Sequence, residues 1–336
     1  MQTLQIRLTK ELVKKAQDLV DKGIYSNKSE VIRDSLRRLA FKEELMTKDK
    51  TFKIIFTSDI HGNLTQYKKL FEKAYNERTE AIIIGGDIAP KDEKNRTIKG
   101  QKEFIENKLI PIIKDFHEKN QQNNHLCKVF IMMGNDDFRS NNSLFKKYEK
   151  TNLLKNIHNK VISLHENLKI AGYSYVPLTP FKYKDWERLD LTNKSEKEYR
   201  KGFLTEGTIS KNNKFINVKF DLNDRKKTIE EDLNKLIKSP KETILVIHSP
   251  PYNTKLDITN SGEHVGSLAV RKFIEEKQPI LTLHGHIHET VKMSGTFIEK
   301  INKTLCVSSG NDNLTNSLAI INLNLYDLNS IKRELI

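Results

Sequence analysis

The stretch Phe52–Asn63, FKIIFTSDIHGN, decides the fold. Its first six residues, Phe52–Thr57, form a near-continuous apolar run broken only by Lys53. Apolar side chains at both parities of a short run predict a strand in a sheet covered on both faces. Asp59 and His61 follow just past the strand's C-terminal end, where α/β sheets place their binding sites. Gly62 and Asn63 turn the chain into a helix from about Leu64, with Tyr67, Leu70, Phe71 and Ala74 at helical spacing.

The pattern recurs along the chain. AIIIGGDIAP predicts a strand ending at Asp87, and KVFIMMGNDD one ending at Asn135, Asp136 and Asp137. TILVIHSPP predicts a strand ending at His248, and PILTLHGHIH one ending at His286 and His288. In LHGHIHE the imidazoles of His284, His286 and His288 alternate, so on a strand they would share a face. Five buried strands each deliver a carboxylate, amide or imidazole at the same end. Burying such groups costs several kcal/mol unless they are paired or hold a metal, and neutral imidazole is the commonest metal ligand.

The combination of D-x-H, GD, GN, H and GHxH over residues 52–325 resembles the calcineurin-like metallophosphoesterase superfamily. The resemblance implies a four-layer α/β/β/α fold and a site for two divalent metal ions. Carried over by motif, Asp59, His61 and His288 would hold one ion, Asn135, His248 and His286 the other, with Asp87 bridging them. His284 precedes the motif, is not carried over, and is expected to be a sheet residue. Two ions about 3.5–4 Å apart would neutralise phosphate oxygens and activate a water. The neutral Asn and His donors keep negative charge low before an anionic substrate. Mixed N/O donors suit Mn, Fe, Zn or Co. The expected substrate is a phosphate ester. HSPPYNTKLD and the GHxH region look closer to a phosphodiesterase branch than to protein phosphatases.

One position departs from the family's GNH motif: Asp136 stands where the histidine would act beside the leaving group. A carboxylate is ordinarily charged at neutral pH. Asp136 therefore serves as acid only if a neighbour shares its proton, and His264 in GEHVGS is the alternative donor. If neither donates efficiently, aryl diesters with acidic leaving groups should be cut faster than alkyl ones. Tyr252 and Asn253 are candidates for the substrate mouth, and PLTPFKYKDWERLD, with Trp186, for a cap near the site. Residues 181–240 carry fifteen Lys/Arg against eleven Asp/Glu and read as an insertion.

Residues 1–46 read as a separate module, followed by a linker over 47–51. In TLQIRLT the apolar Leu4, Ile6 and Leu8 alternate with polar Thr3, Gln5 and Arg7, predicting a half-buried strand. Leu12, Val13, Ala16, Leu19 and Val20 predict a helix stopped by Gly23. Asn27 and Glu30 form a capping-box signature for a second helix, whose inner stripe is Val31, Ile32, Leu36 and Leu39. So small a unit cannot bury a core alone, and a lone strand needs a partner. Strand, helix, Gly turn and capped helix resemble the ribbon-helix-helix DNA-binding family. The resemblance implies a homodimer in which Thr3, Gln5 and Arg7 read the major groove and Asn27, Lys28 and Ser29 hold a phosphate.

The 336 residues carry a net charge of +14, spread along the chain and compatible with a polyanionic partner. No apolar run approaches the roughly 20 residues of a membrane span, and no secretory leader is legible. Two cysteines, Cys127 and Cys306, exclude a disulfide framework, so a cytoplasmic home without a membrane partner is expected. The sequence reads as a metal-dependent phosphodiesterase tethered to a DNA-binding dimer, with nuclease action as one form. The alternative is a transcriptional regulator whose phosphoesterase-like domain senses a nucleotide or phosphate ligand.

Overall fold

The computed structural model describes residues 6–36, 50–312 and 316–336. The chain divides into two compact units, Met1–Thr51 and Phe52–Ile336. In the first, helix α1 (Lys10–Asp21) starts at Thr9, whose hydroxyl accepts from the Leu12 amide. It ends before Gly23, at φ 68°, a conformation glycine adopts without a steric penalty. Helix α2 begins at residue 28. Asn27 Oδ1 accepts from the Glu30 amide at 2.9 Å, and the Glu30 carboxylate accepts from the Ser26 amide at 3.0 Å. The capping signature is thus realised with its two arms on adjacent residues. Residues 6–9 have no strand partner among the described residues, and a strand exists only through pairing. Thr3, Leu4, Gln5, Leu39 and most of the expected linker lie outside the described residues. Ala16 and Val31 are buried, whereas Leu12, Val13, Ile24 and Leu36 are exposed.

The second unit carries two six-stranded mixed sheets. The first sheet contains β1 (Lys53–Thr57), β2 (Ala81–Gly85), β3 (Lys128–Met132) and β4 (Lys155–Asn156). The second contains β5 (Lys160–His165), β6 (Leu168–Tyr173), β9 (Thr243–Ile247), β10 (Leu281–His284), β11 (Ile298–Ile301) and β12 (Thr304–Ser308). Strands β7 (Glu206–Lys211) and β8 (Lys214–Lys219) form a separate hairpin. Strands β13 (Ala319–Asn324) and β14 (Asp327–Leu335) complete the first sheet, in the order β14-β13-β1-β2-β3-β4. The second runs β11-β12-β10-β9-β6-β5. Neighbours β1, β2 and β3 are parallel, as are β6, β9, β10 and β12, so their C-terminal loops emerge at one end of each sheet. The C-terminal segment supplies β13, which sits between β1 and the edge strand β14 because the chain doubles back antiparallel after Asn324.

Period-two alternation sorts the core. Ile54, Phe56, Ile83 and Phe130 from the first sheet pack in one cluster with Ile170, Val246, Leu283 and Val307 from the second. The opposite parity of the first sheet (Ile55, Ile82, Ile84, Ile131) packs with helices α3 (Leu64–Asn76) and α5 (Ile110–Gln122) through Leu70, Phe71, Ile113 and Phe116. A short helix α4 (Ile98–Phe104) leads through a π-turn into α5, and α6 (Phe145–Lys150) follows β3. Tyr173, Leu245 and Ile247 of the second sheet pack with α7 (Ile229–Leu236) and α8 (Leu268–Lys277). Each fully buried side chain of this kind stabilises by roughly 1.5–3 kcal/mol. Both faces of the central strands are therefore apolar, and polar groups are displaced to the strand ends.

Candidate metal centre

Five loops at those ends converge. Asp59 and His61 follow β1, Asp87 follows β2, Asn135 follows β3, His248 follows β9, and His286 and His288 follow β10. Strand β10 stops at His284, so the last two histidines reach the site from a loop and not by strand alternation. Donor atoms of Asp59, His61, Asp87 and His288 all lie within 4.8 Å of one another. His61 Nε2 is 3.1 Å from His288 Nε2 and 3.7 Å from Asp87 Oδ2. Asn135 Oδ1 is 3.0 Å from His248 Nε2 and 2.6 Å from His286 Nδ1. His248 Nε2 is also 3.5 Å from Asp87 Oδ2 and 3.9 Å from Asp59 Oδ1. All seven expected donors thus come together, with Asp87 near both groups of three.

The backbone is shaped to allow this. Asp59, His61, Asp87 and His286 all have φ between 47° and 71°, a region side-chain-bearing residues rarely adopt. Cross-loop bonds hold them there. The His61 amide donates to the Asp87 carbonyl at 2.8 Å, and the Asp59 amide to the Gly86 carbonyl at 3.0 Å. The His286 amide donates to the Asp59 carboxylate. His248 Nδ1–H donates to the Gly85 carbonyl at 2.9 Å, which turns Nε2 toward the other donors. Buried Asp137 accepts from the amides of Ile88, Ala89 and Gly134, tying the loops that carry Asp87 and Asn135. His284 is buried on β10, and its Nδ1–H is shared between the carbonyls of Ile247 and Ser249, on either side of His248. It braces that loop and is not among the clustered donors.

Electrostatics suits cation binding. Burial holds His61 and His286 well below the usual imidazole range, so their nitrogens remain neutral donors. Burial also opposes charge on His248, but Asp87 and Asp59 outweigh it and push it up to about 9. For Asp87, burial disfavours the charged form, yet the His248 and His61 imidazoles lower its pKa. Two carboxylates, one amide oxygen and four imidazoles match the donor preferences of borderline divalent cations.

Beside the cluster lies a cleft of about 420 Å³, lined by Asp87, Asn135, His286 and His288 together with Asp136, Lys91, Arg200, Phe181 and Val265. Arg200 Nη2 donates to the Val265 carbonyl at 2.9 Å. Phe181 is 52% exposed at the rim. Asp136 Oδ1 pairs with Arg96 Nη2 at 2.6 Å, while burial and the Asp87 charge push its pKa up to about 6. His264 does not line this cleft, although Glu263 and Val265 do; its Nδ1 lies 2.7 Å from Asp257 Oδ1. Tyr252 and Asn253 are also not among the cleft residues. Trp186 is a core residue whose indole N–H donates to the Asp137 carbonyl at 2.8 Å, while Leu178, Thr179, Pro180 and Phe181 of the same expected cap segment line the cleft. Arg96, Asp137 and Arg200 are contributions the sequence reading missed. Of the expected DNA contacts, Arg7, Asn27, Lys28 and Ser29 are exposed in the first unit.

Mixed α/β sheets ending in an Asp/His cluster that fits a dinuclear divalent-metal site are the arrangement expected of a metal-dependent phosphoesterase. The chain belongs to the calcineurin-like phosphoesterase family, whose profile matches residues 52–290. It is 42% identical over 88 residues to an uncharacterised protein of Methanocaldococcus jannaschii, a match covering 24% of this chain and 38% of that relative. The chain thus spans well under half the length of that relative. One solved crystal structure, 15% identical, aligns over 85% of this chain and 99% of its own with a TM-score of 0.53, a likeness of fold. A dimetal phosphatase from Danio rerio is 12% identical, with a TM-score of 0.49, over 85% of this chain and 96% of that one. No helix among the described residues is long and apolar enough to cross a membrane.

Proposed function

We propose that residues 52–336 form a four-layer α/β/β/α phosphodiesterase, with 181–240 inserted, and that residues 1–46 are a ribbon-helix-helix module that binds DNA as a homodimer. Asp59, His61 and His288 would hold one divalent ion and Asn135, His248 and His286 the other, with Asp87 available to both groups. The observation that carries this reading is the convergence of seven side chains from both sheets, four of which, Asp87, Asn135, His286 and His288, line a cleft that also holds Lys91 and Arg200. When bound, the ions supply positive charge against phosphate oxygens and a water nucleophile at neutral pH. Lys91 and Arg200 add fixed positive charge at the cleft wall, where it opposes the charge that develops on the phosphoryl oxygens. The exposed Phe181 ring offers a flat apolar surface to an ester group at the rim. His248, oriented by Gly85, and Asp87, held by the Asp136 amide at 2.8 Å, are fixed before substrate arrives.

For the first unit, exposed Leu12, Val13, Ile24 and Leu36 support a second copy, since a single copy leaves this apolar surface in water. Exposed Arg7, Lys28 and Ser29, the last two at the start of α2, support a phosphate and base contact.

Hydrolysis of bis-aryl phosphate with added Mn2+ tests the enzymatic part. Wild-type protein should cleave the diester faster than the aryl monoester, and Asp87→Ala should fall to the uncatalysed background. Activity retained in Asp87→Ala would sink the assignment. A gel shift with and without residues 1–46, read across salt, tests the DNA part; binding that is unaffected by the truncation would count against it.

A further inference from the structure

The residue that departs from the family motif has surroundings that give it a different task. His61 Nδ1 is buried and finds no hydrogen-bond partner among the described residues. A buried polar nitrogen left this way is costly, roughly 1–3 kcal/mol, unless a partner is close at hand. Asp136 Oδ2 lies 3.8 Å from it. The other Asp136 oxygen is clamped by Arg96 at 2.6 Å, and the Arg96 guanidinium rests 4.8 Å over the Tyr183 ring. The Asp136 main chain is fixed at both ends: its amide donates to Asp87 Oδ1 at 2.8 Å, and its carbonyl accepts from Gln101 Nε2 at 2.9 Å. The carboxylate is therefore anchored beside the outer nitrogen of an imidazole whose inner nitrogen faces Asp87 and His288.

Building on the metal-centre reading above, we propose that Asp136 is a positioning residue. Its carboxylate receives the outer N–H of His61, and Arg96 holds that carboxylate in place. The separation closes to a hydrogen bond with a movement of about 1 Å. Fixing the proton on Nδ1 leaves the Nε2 lone pair directed at the cation, as outer carboxylates do for metal-bound histidines elsewhere. A carboxylate engaged on both oxygens is not a proton donor. The leaving group then departs without acid assistance, and aryl diesters outpace alkyl ones.

The test is titration of Mn2+ alone into the full chain, wild type and variants, analysed for two sites, together with the dependence of diester cleavage on leaving-group pKa. In Asp136→Ala one of the two sites should weaken by about 10–100-fold, with the leaving-group slope unchanged. Asp136→Asn keeps an accepting oxygen and should restore most of that affinity; Arg96→Gln should fall between. Unchanged Mn2+ affinity in Asp136→Ala with a steeper leaving-group slope would mean that Asp136 donates a proton, and would overturn the proposal while leaving the metal centre intact. Equal weakening of both sites would also overturn it. A wild-type chain that binds no Mn2+ would remove the metal-centre reading and this one together.

Discussion

Gly134 shows how closely the donors are fitted. A Cβ at this position would lie 2.3 Å from Asp87 Oδ1, 2.4 Å from the Asp87 amide nitrogen and 2.7 Å from His248 Cε1. The backbone atom cannot give way as a flexible side-chain tip would. Gly134→Ala is therefore expected to push Asp87 and His248 apart and to weaken Mn2+ binding by about 10-fold or more, on the scale of lost supporting contacts. Titration of a variant with wild-type circular dichroism checks this; unaltered affinity would show that the loop yields freely. At this scale the seven clustered residues were legible because each lies just past one of five strands, within a short local pattern. Asp137, Arg96 and Arg200 were not. Asp137 bonds amides 48 and 49 residues away, and Arg96 reaches Asp136 across 40 residues. Their roles come from chain folding, and no local periodicity announces them. His264 failed for the complementary reason: a histidine in a loop looks the same whether it faces a cleft or bonds Asp257.

Among elements, the parallel strands were the easiest to read, since a doubly covered strand writes a dense apolar run. The hairpin was half legible. KFINVK in β8 carries Phe215, Ile216 and Val218, whereas GTISK in β7 has only Ile209 as a bulky apolar residue. Residues 6–9 of the strand expected at the chain's start have no strand partner among the described residues. The stretch around Lys184 holds a buried ion pair that composition could not reveal. Lys184 Nζ lies 2.7 Å from Glu187 Oε2, and both side chains are at most 1% exposed. Lys184 also donates to the Thr179 carbonyl, and Thr179 lines the cleft. Lys184→Met should destabilise the chain by about 3–5 kcal/mol, because it strands a carboxylate in the interior. The double variant Lys184→Met/Glu187→Leu should recover much of that loss. Chemical denaturation of the three proteins decides it, and a single variant as stable as wild type would refute the account.

On the scale of the whole second unit, the donors come from both sheets: Asp59, His61, Asp87 and Asn135 from one, His248, His286 and His288 from the other. Whatever cation they hold ties the two sheets at their loop ends, and only the folded chain presents the full set. Binding at 100 times Kd contributes about 2.7 kcal/mol to folding. Stripping metal with a chelator should then lower Tm by about 5 °C or more. Restoring Mn2+ should reverse the shift, and an unmoved Tm would argue against a site completed by folding. The left-handed backbone at Asp59, His61, Asp87 and His286 adds a further consequence. Each such residue carries roughly 1–3 kcal/mol of strain that glycine would relieve. Directed evolution screened on heat resistance alone would accordingly enrich for glycine at these four positions, and its most robust descendants would be inert.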